Sequence, residues 1–519
     1  MSQKSTVYVF ALLVGLCAAA ISYYMPFFPY FDDSTHYIEQ ARSFMSRGVF
    51  EVTPYGINDE EANVTSIPDN LFPLGYPLLI ALSSTLTRLP AEIVAPWLSL
   101  TALFFLPTII VFTFHRVLGG WPALWIGALV ALTPAAIRHG YLAYSDTLSL
   151  VLVIYAVHLL LTAGHRTSYW FWLGILTGFS YLLRNANLSL LLSICIYLFW
   201  DFMAESENRK EKISNGLVWM MANILVIAPW LIRNFYVFGQ MQPYKMGPSE
   251  LTLEENIHAY LKAQLDTLLA LGDLDVFLAR NPWGIAFLLL LLAVLLQQTL
   301  KTWKHWQKFE QKTFILAFIY SVIGAIIVIA TRTKYQWGGL IEARYALPYS
   351  CFVLVALAII YKHCTVSIDS KLLGIGLAIA LLFARFWELP KLYQYDQYEN
   401  AILAAANQIK TNQDSICNNL NGRFGISNFA FAYRILCAAP VRNFHYEPEQ
   451  KFIDESLQGW AELGGKYGII VSVFPWKDHE QTDMPLQRDR VMKLNSLGWQ
   501  VERNEKENLI ISHKANSAR

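Results

Sequence analysis

The stretch VYVFALLVGLCAAAISYYMPFFPYFDDSTHYIEQARSF, residues 7–44, decides the fold of this 519-residue chain. A helix needs about 20 mostly apolar residues to cross a membrane, and residues 7–26 form such a run. No small-residue cleavage site follows it, so we interpret it as a retained helix rather than a signal peptide. Asp32 and Asp33 come at its end, where two carboxylates have a desolvation cost unless water, a cation or a function compensates.

The composition of the whole chain agrees with a membrane protein. Hydrophobic residues make up 55% and charged residues 15%, whereas soluble domains carry roughly 25% charged residues. The 40 Lys and Arg balance 39 Asp and Glu, so no basic field indicates a nucleic-acid partner. Apolar runs predict a polytopic α-helical protein with about 11 transmembrane helices, at 7–26, 92–115, 119–138, 146–163, 168–183, 186–200, 214–231, 283–300, 313–331, 346–361 and 371–388.

The positive-inside rule predicts the orientation of these helices. With a cytoplasmic N-terminus and eleven spans, the Lys and Arg of the run KTWKHWQKFEQK (residues 301–312) stay inside. This requires residues 75–89 to lie in the outer interface without crossing. The first outer loop (27–74), the loop 232–282, the turns 139–146 and 332–345, and everything after residue 389 then lie outside.

The sequence after residue 389 changes character and predicts a second domain. We therefore divide the chain into a transmembrane module, 1–389, and a small extracytoplasmic α/β domain, 390–519, in which helical and strand-like segments alternate. Predicted strands lie at SICNN, PVRNF, YGIIVSV, GWQVE and NLIISH. Cys417 and Cys437 either pair, as an oxidising compartment allows, or remain two free thiols.

Two aspartates at the outer ends of spans are candidates for catalysis. Asp33 lies at or just before a helix start, so it either caps that helix or serves as a catalytic carboxylate. Asp146 is also a possible helix cap, in competition with Ser145. If both face one pocket, the pair can divide the roles of general base and electrostatic orienter. A divalent metal held by Asp33, His36 and Asp146 is a further alternative, and no cofactor motif is present.

Several arginines lie at the same predicted depth as the two aspartates. Arg184 interrupts two short spans, Arg233 and Asn234 end a span in APWLIRNFYVFG, and Arg344 with Tyr345 begin one in EARYALPY. Such arginines either snorkel to the headgroup layer or bind phosphate oxygens through the planar guanidinium fork.

The order of these features resembles the polytopic glycosyltransferases of the GT-C fold, which include protein O-mannosyltransferases and the bacterial enzymes that move aminoarabinose onto lipid A. Their first outer loop carries the motif Asp-Glu-x-x-Tyr-x-Glu-x-Ala-Arg. Here Asp33, Tyr37, Glu39, Ala41 and Arg42 match the motif, and Ser34 replaces its second acid. LFPLGYPLLIAL, YLAYSDTLSLVL and APWLIRNFYVFG are similar to later segments of that family. The resemblance covers roughly residues 1–360.

The resemblance implies an inverting transfer of a hexose or pentose from a polyprenyl-phosphate donor to a lipid, glycan or protein acceptor on the extracytoplasmic face of the cell membrane. Asp33 is then the general base, and Asp146 positions it or the acceptor. Arg233 or Arg344 holds the phosphate, with Tyr37, Arg184, Asn234 and Tyr345 as further substrate-binding residues. A lipid-linked sugar polymerase or ligase is an alternative, as is a polytopic transporter, although a transporter favours internal repeats and midplane helix breaks.

Overall fold

The structure is a computed structural model that describes most of the first 393 residues and part of the tail. The described residues are 3–25, 29–30, 32–53, 66–164, 166–204, 209–243, 247–335, 340–364, 368–393, 406–407, 410, 417, 424–427, 430–438, 441–443, 469–472, 499–504 and 509–514. The chain divides into two compact units. The first comprises Met1–Met25, Asn70–Tyr76 and Pro96–Tyr393, and the second comprises Pro26–Asp69, Pro77–Ala95 and Gln394–Arg519.

Helices account for nearly all of the described chain before residue 394. They are α1 (Gln3–Tyr24), α2 (Asp32–Arg47), α3 (Gly75–Thr87), α4 (Ala91–Leu118), α5 (Gly120–Ala131), α6 (Pro134–Gly140), α7 (Asp146–Thr162), α8 (Thr167–Leu183), α9 (Leu188–Ala204), α10 (Arg209–Phe238), α11 (Leu253–Leu268), α12 (Asp273–Arg280), α13 (Pro282–Thr302), α14 (Lys308–Lys334), α15 (Ala343–Cys364) and α16 (Ile368–Glu388).

Every predicted apolar run lies on described helices, with 119–138 divided between α5 and α6, and the fold is that of a polytopic helical membrane protein. Among the described residues, seven helices are long and apolar enough to cross a membrane, or eight if one bent pair counts as a span. The predicted runs at 146–163, 168–183 and 371–388 form α7, α8 and α16, which are not among these eight. The count of eleven spans stays a prediction. The segment 75–89 forms α3, whose 13 residues extend about 20 Å, too short to cross the hydrocarbon core alone.

The predicted run 119–138 is broken rather than straight. Helices α5 and α6 meet at an angle of 64°, and the sequence explains the break. Thr133 is the N-cap of α6 and its side chain accepts a hydrogen bond from the amide of Ala136, while Pro134 occupies the first helical position. Because proline lacks an amide hydrogen, it begins a helix readily and does not continue one. The break turns α6, which carries Arg138 and His139, away from the axis of α5.

Small residues bring helices of the first unit close together. A Cβ atom on Gly174 of α8 would lie 2.5 Å from both the Trp219 carbonyl oxygen and the Ala222 Cβ of α10. At the same interface Trp219 Nε1 donates to Thr177 Oγ1, 3.1 Å away. Small residues let membrane helices approach closely, and interhelical hydrogen bonds add to the packing. This contact fixes α8, which ends directly before Arg184, against α10.

The second unit contains the helix of the acidic motif, α2, and the tail. Strands β1 (Glu51–Val52) and β2 (Ile67–Pro68) pair antiparallel after α2. The tail contributes a short helix, α17 (Ala430–Leu436), and strands β3 (Phe424–Ser427), β4 (Val441–Asn443), β5 (Ile469–Ser472), β6 (Trp499–Asn504) and β7 (Leu509–Lys514). They form one sheet in the order β4-β3-β5-β7-β6, with β3 parallel to β4 and β5, and β7 antiparallel to β5 and β6.

Several expectations for the tail can be compared with this sheet. The strands predicted at PVRNF, YGIIVSV, GWQVE and NLIISH are present as β4 to β7, whereas β3 was not predicted. Of the predicted strand SICNN, only Cys417 lies within the described residues, and there the backbone is helical. Cys417 and Cys437 form a disulfide. The predicted helix FIDESLQGW lies outside the described residues, and the boundary at residue 390 stays a prediction.

Candidate functional site

Asp146 and Arg184 form an ion pair inside the first unit. Helix α7 begins at Asp146, and Ser145 occupies the N-cap without a side-chain capping bond. Asp146 Oδ1 pairs instead with Nη1 of Arg184, and the two side chains are only 9% and 15% exposed. The alternative in which Asp146 caps its helix is therefore wrong. Its carboxylate neutralises a largely buried guanidinium group.

The backbone around this pair is fixed by a turn between two helices. Arg184 is the C-cap of α8, and its amide donates to the Ser180 carbonyl. A short 3-10 turn, Asn185–Asn187, follows. Asn187 Nδ2 donates to Ser149 Oγ of α7 at 2.7 Å and to the Ser180 carbonyl oxygen at 2.8 Å. One buried amide thus joins α7, α8 and the turn, and it holds Arg184 beside Asp146.

Tyr345 lies among three arginines, which we call the arginine cluster: Arg184, Arg332 and Arg344. The guanidinium carbons of Arg184 and Arg344 lie 5.2 and 4.8 Å from the centre of the Tyr345 ring. Arg332, which is 1% exposed near the end of α14, interacts electrostatically with the same tyrosine. Cations over aromatic faces are attracted by the ring quadrupole. Arg184 and Arg344, which would otherwise repel each other, are thereby held at one ring.

Arg344 has further contacts that orient its guanidinium group. Nη2 donates to the Tyr345 hydroxyl at 2.9 Å, and Nε lies 3.1 Å from a carboxylate oxygen of Glu342. The guanidinium carbon is also 5.0 Å from the centre of the Tyr144 ring. Because its own side chain is 12% exposed and that of Glu342 is 57% exposed, Arg344 lies at the edge of the cluster and Glu342 lies farther out.

A cavity of about 750 Å³ lies next to this edge of the cluster, entirely within the first unit. Arg344 lines it together with groups from α6, α11, α12, α15 and the end of α16. The lining contains five basic side chains, one imidazole and four carboxylates: Arg138, Lys262, Arg280, Arg344, Lys391, His139, Asp266, Asp273, Glu342 and Glu388. A cavity of this volume, lined by both charged and apolar groups, has room for a ligand of the size of a sugar with its phosphate.

His139 presents one ring nitrogen as an acceptor in this cavity. Its Nδ1 lies 2.8 Å from the Ala135 carbonyl oxygen, so Nδ1 carries the hydrogen in that bond. In the neutral ring, Nε2 is then an acceptor. The ring stacks on Tyr144, with centroids 5.8 Å apart. Guanidinium groups only donate, so His139 adds an acceptor to a region of donors.

Arg233 and Asn234 do not line this cavity in the part of the chain that the structure describes. Arg233 Nη1 donates to Asn234 Oδ1 at 2.9 Å, and Asn234 Nδ2 donates to the Met241 carbonyl oxygen at 3.1 Å. The Arg233 guanidinium also lies 5.3 Å from the Phe238 ring centre. These contacts hold the end of α10 to the turn that follows it.

The acidic motif lies in the second unit, on α2. Asp33 is in the first turn of that helix and is half-buried, whereas Tyr37 and Ala41 are buried. Ser34, which stands where the motif has a second acid, is fully buried. A carboxylate at that position would have a large desolvation cost, which is a physical reason for the serine. The convergence of Asp33 with Asp146 stays a prediction.

Two other residues of α2 fix the first outer loop. His36 Nδ1 lies 3.1 Å from Asp69 Oδ2. Burial would lower the pKa of His36, but the charge and hydrogen bond of Asp69 outweigh it and raise the pKa above its ordinary value. Gln40 donates to the same carboxylate oxygen. His36 therefore ties α2 to the end of the loop.

Among the described residues, no group of three or more His, Cys, Asp or Glu side chains has the arrangement of a metal site.

Glu39 is the third polar residue of α2 that joins distant segments. It accepts hydrogen bonds from the Thr53 amide at 2.8 Å and from Arg434 Nε at 2.6 Å. Burial alone would raise the pKa of Glu39, but the charge of Arg434 and these hydrogen bonds outweigh it and hold the pKa below its ordinary value.

Arg138, His139 and Arg332 were not selected from the sequence, although all three are in or beside the site. Arg138 and His139 lie at the predicted outer end of the run 119–138, and Arg332 begins the predicted outer turn 332–345. Basic residues on the outer side run against the positive-inside trend. Applied to every span end, the argument that selected Arg233 and Arg344 would have included Arg138 and Arg332, but not His139.

Comparison with solved structures identifies the fold. ArnT from Cupriavidus metallidurans, solved bound to undecaprenyl phosphate, is similar over 99% of both chains, with a TM-score of 0.61 and 11% sequence identity. The oligosaccharyltransferase AglB from Archaeoglobus fulgidus, solved with an inhibitory peptide and a dolichol-phosphate, is similar over 98% of this chain and 75% of its own, with a TM-score of 0.54 and 10% identity.

A third similar structure has the same fold. The arabinofuranosyltransferase AftD from Mycobacteria is similar over 98% of this chain and 40% of its own, with a TM-score of 0.51 and 12% identity. All three have the GT-C fold, and the predicted fold is thereby confirmed. No protein-family model matches the sequence, and no curated protein matches it significantly.

Proposed function

We propose that this chain, which has the GT-C fold, is an integral-membrane glycosyltransferase that moves a sugar from a polyprenyl-phosphate donor to an acceptor on the extracytoplasmic face. The observation that carries the proposal is the arginine cluster beside the 750 Å³ polar cavity. Grouped guanidinium groups in a membrane protein favour a phosphate ligand. Two proteins of the same fold were solved with polyprenyl-type phosphates, which supports a donor of that class.

In this proposal Arg344 is the residue that contacts the donor phosphate. It lies where the cluster meets the cavity, and Tyr345 and Glu342 orient its fork. Arg332 adds positive charge nearby, whereas the charge of Arg184 is balanced by Asp146. A phosphate leaving group is already anionic, so it needs cationic stabilisation rather than a general acid. Asp146 acts through Arg184, because its carboxylate holds that guanidinium in place.

Asp33 is the proposed general base, on the basis of the motif. The acceptor hydroxyl oxygen attacks the anomeric carbon of the sugar, and its proton passes to the Asp33 carboxylate. The bond from that carbon to the phosphate oxygen breaks, and the polyprenyl phosphate leaves with the electron pair. A single displacement of this kind inverts the anomeric centre. Tyr37, which was predicted to bind substrate, is buried in α2, and we propose that it holds that helix instead.

The disulfide supports the proposed orientation of the chain. Cys417 and Cys437 are bonded, and disulfides persist in oxidising compartments rather than in the cytosol. A tail outside the cytoplasm agrees with the positive-inside prediction, in which the basic run 301–312 stays inside. We therefore propose a cytoplasmic N-terminus and an extracytoplasmic tail, in the cell membrane.

A transfer assay on the full chain in lipid nanodiscs tests the function. The donor is a polyprenyl phosphate carrying a radiolabelled pentose or hexose, offered with a membrane extract as the acceptor source. We expect label transfer by the wild type and a loss of about 10²–10⁴ in rate for Asp33→Asn. Asp32→Asn is the matched control and should keep most of the activity.

Two outcomes contradict the proposal in different ways. No transfer from any polyprenyl-phosphate sugar, together with no binding of polyprenyl phosphate by native mass spectrometry, contradicts the function. An active Asp33→Asn with an inactive Asp32→Asn contradicts the alignment of the motif and moves the base by one residue.

A further inference from the structure

Arg434, in the tail helix α17, is almost completely buried against the helix of the acidic motif. Its side chain is 2% exposed and forms an ion pair with Glu39, which is itself 12% exposed. Both nitrogens of one edge of the fork bond to the two carboxylate oxygens of Glu39. Nη2 also donates to the Thr53 carbonyl oxygen at 3.0 Å. This bidentate geometry is the strongest form of an Arg–carboxylate contact.

Arg42, one turn further along α2, also bonds to the tail helix α17. Its Nη1 donates to the Arg434 carbonyl oxygen at 3.0 Å, and its Nη2 donates to the Ile435 carbonyl oxygen at 2.8 Å. These are carbonyls at the C-terminal end of α17, where no further helical turn satisfies them and a cation is favoured. Nη2 of Arg42 also lies 2.8 Å from Oε2 of Glu92, with which it forms an ion pair.

The disulfide fixes the end of α17 that these contacts hold. Cys437 follows the helix directly and is bonded to Cys417. Its amide donates to the Tyr433 carbonyl at 2.9 Å, which continues the helical hydrogen-bonding pattern. The clamp, defined as Glu39, Arg42 and Arg434, therefore joins α2 to a segment that is itself covalently closed. Ordering long side chains this completely costs conformational entropy. A tail segment that is already held in place by the disulfide lowers that cost when the clamp forms.

We propose that the tail positions the acidic motif, and that Arg434 is a positioning residue for Asp33. The inference rests on the proposed function for its catalytic consequence, but the clamp itself does not depend on that function. Asp33 and Glu39 are six residues apart on one helix, which is about 9 Å along its axis. Because a helix moves as a rigid rod over that length, a rotation or slide of α2 displaces the Asp33 carboxylate. The two motif residues Glu39 and Arg42 then serve to hold α2 rather than to contact substrate.

The experiment compares three clamp variants of the full chain in nanodiscs: Arg434→Gln, Glu39→Gln and the double variant. Arg47→Gln is the matched control, since Arg47 also pairs with a carboxylate, Glu51, but is 51% exposed on the same helix. Hydrogen–deuterium exchange of residues 32–47 reports the position of α2, and transfer kinetics report its consequence. Arg434→Lys, which keeps the charge and loses the fork, is included should Arg434→Gln fail to fold.

We expect faster exchange along α2 in both single variants and a fall in kcat of up to about 10²-fold, the size of effect that a displacement near 1 Å produces. The KM for the donor should stay within about twofold, because the arginine cluster is untouched. This expectation assumes that Glu39 does not contact the substrate in the transition state. The loss in the double variant should be smaller than the two single losses combined, because each single variant already removes the Glu39–Arg434 pair. Only the separate bonds of the two residues to Thr53 add to it.

Several results overturn the inference. Wild-type exchange and kcat in both Arg434→Gln and Arg434→Lys show that the tail does not position α2. Additive losses in the double variant show that Glu39 and Arg434 act separately. A rise in KM without a fall in kcat places Glu39 at the substrate. If the wild type transfers no sugar, the proposed function fails, while the exchange of α2 still decides whether the clamp exists.

Discussion

Replacing Arg344 by lysine tests the phosphate site most directly. The change keeps one positive charge and removes the planar fork, so it separates charge from geometry. In the structure the fork holds the Tyr345 hydroxyl through Nη2 and faces Glu342 through Nε. A lysine has one nitrogen and cannot hold the tyrosine and bind a phosphate oxygen bidentately at the same time.

The expected size of the effect comes from the bonds that lysine cannot replace. A hydrogen bond to a charged group contributes about 1.5–3 kcal/mol, and each 1.4 kcal/mol changes an equilibrium constant about tenfold. The loss of one such bond to the donor phosphate should therefore weaken donor binding by about 10- to 100-fold. The protein should still fold, because lysine keeps a positive charge beside the Tyr144 and Tyr345 rings and the Glu342 partner is 57% exposed, where ion pairs contribute little.

Two measurements on protein in nanodiscs check this prediction: the Kd for polyprenyl phosphate by native mass spectrometry, and initial transfer rates as a function of donor concentration. Arg233→Lys is the matched control, since Arg233 bonds to its neighbour Asn234 and does not line the cavity. Unchanged donor affinity in Arg344→Lys, with a loss in Arg233→Lys, would refute the assignment and exchange the two roles.

Three further predictions concern stability. Breaking the largely buried Asp146–Arg184 pair by Asp146→Asn should destabilise the protein by about 3–5 kcal/mol. The double variant Asp146→Asn with Arg184→Gln should lose less stability than the two single variants added together. Additive losses of unfolding free energy in chemical denaturation would contradict the pairing. Gly174→Ala places a methyl group 2.5 Å from the Trp219 carbonyl oxygen and should cost about 1–3 kcal/mol, whereas Gly216→Ala, where nothing lies within 4 Å, should show no such loss. The pKa of Glu39 is lowered in the folded chain, so its contribution to stability is present above an ordinary value of 4.5 and is lost as pH falls through the folded pKa. The unfolding temperature should therefore fall less steeply between pH 7 and pH 3 in Glu39→Gln than in wild type. Parallel curves of unfolding temperature against pH would exclude this contribution.

The sequence by itself determined the helices and the class of protein. Each predicted apolar run except 119–138 coincides with one described helix, because hydropathy is a local property that a window of about 20 residues contains. The motif residues Asp33 and Glu39 lie on one predicted helix for the same reason. The break between α5 and α6 was not predicted, although Thr133 and Pro134 are an ordinary helix-start signal.

Only the tertiary structure decided which charged groups meet. Asp146 was expected to position the general base or the acceptor substrate. In the structure it pairs with Arg184, 38 residues away in sequence. Glu39 matched a motif, yet its partner Arg434 lies almost 400 residues later, and the Cys417–Cys437 bond was one of two open alternatives. An ion pair depends on the distance between side chains and on how far water is excluded from them, and both are set by how the helices pack rather than by the residues beside each charge.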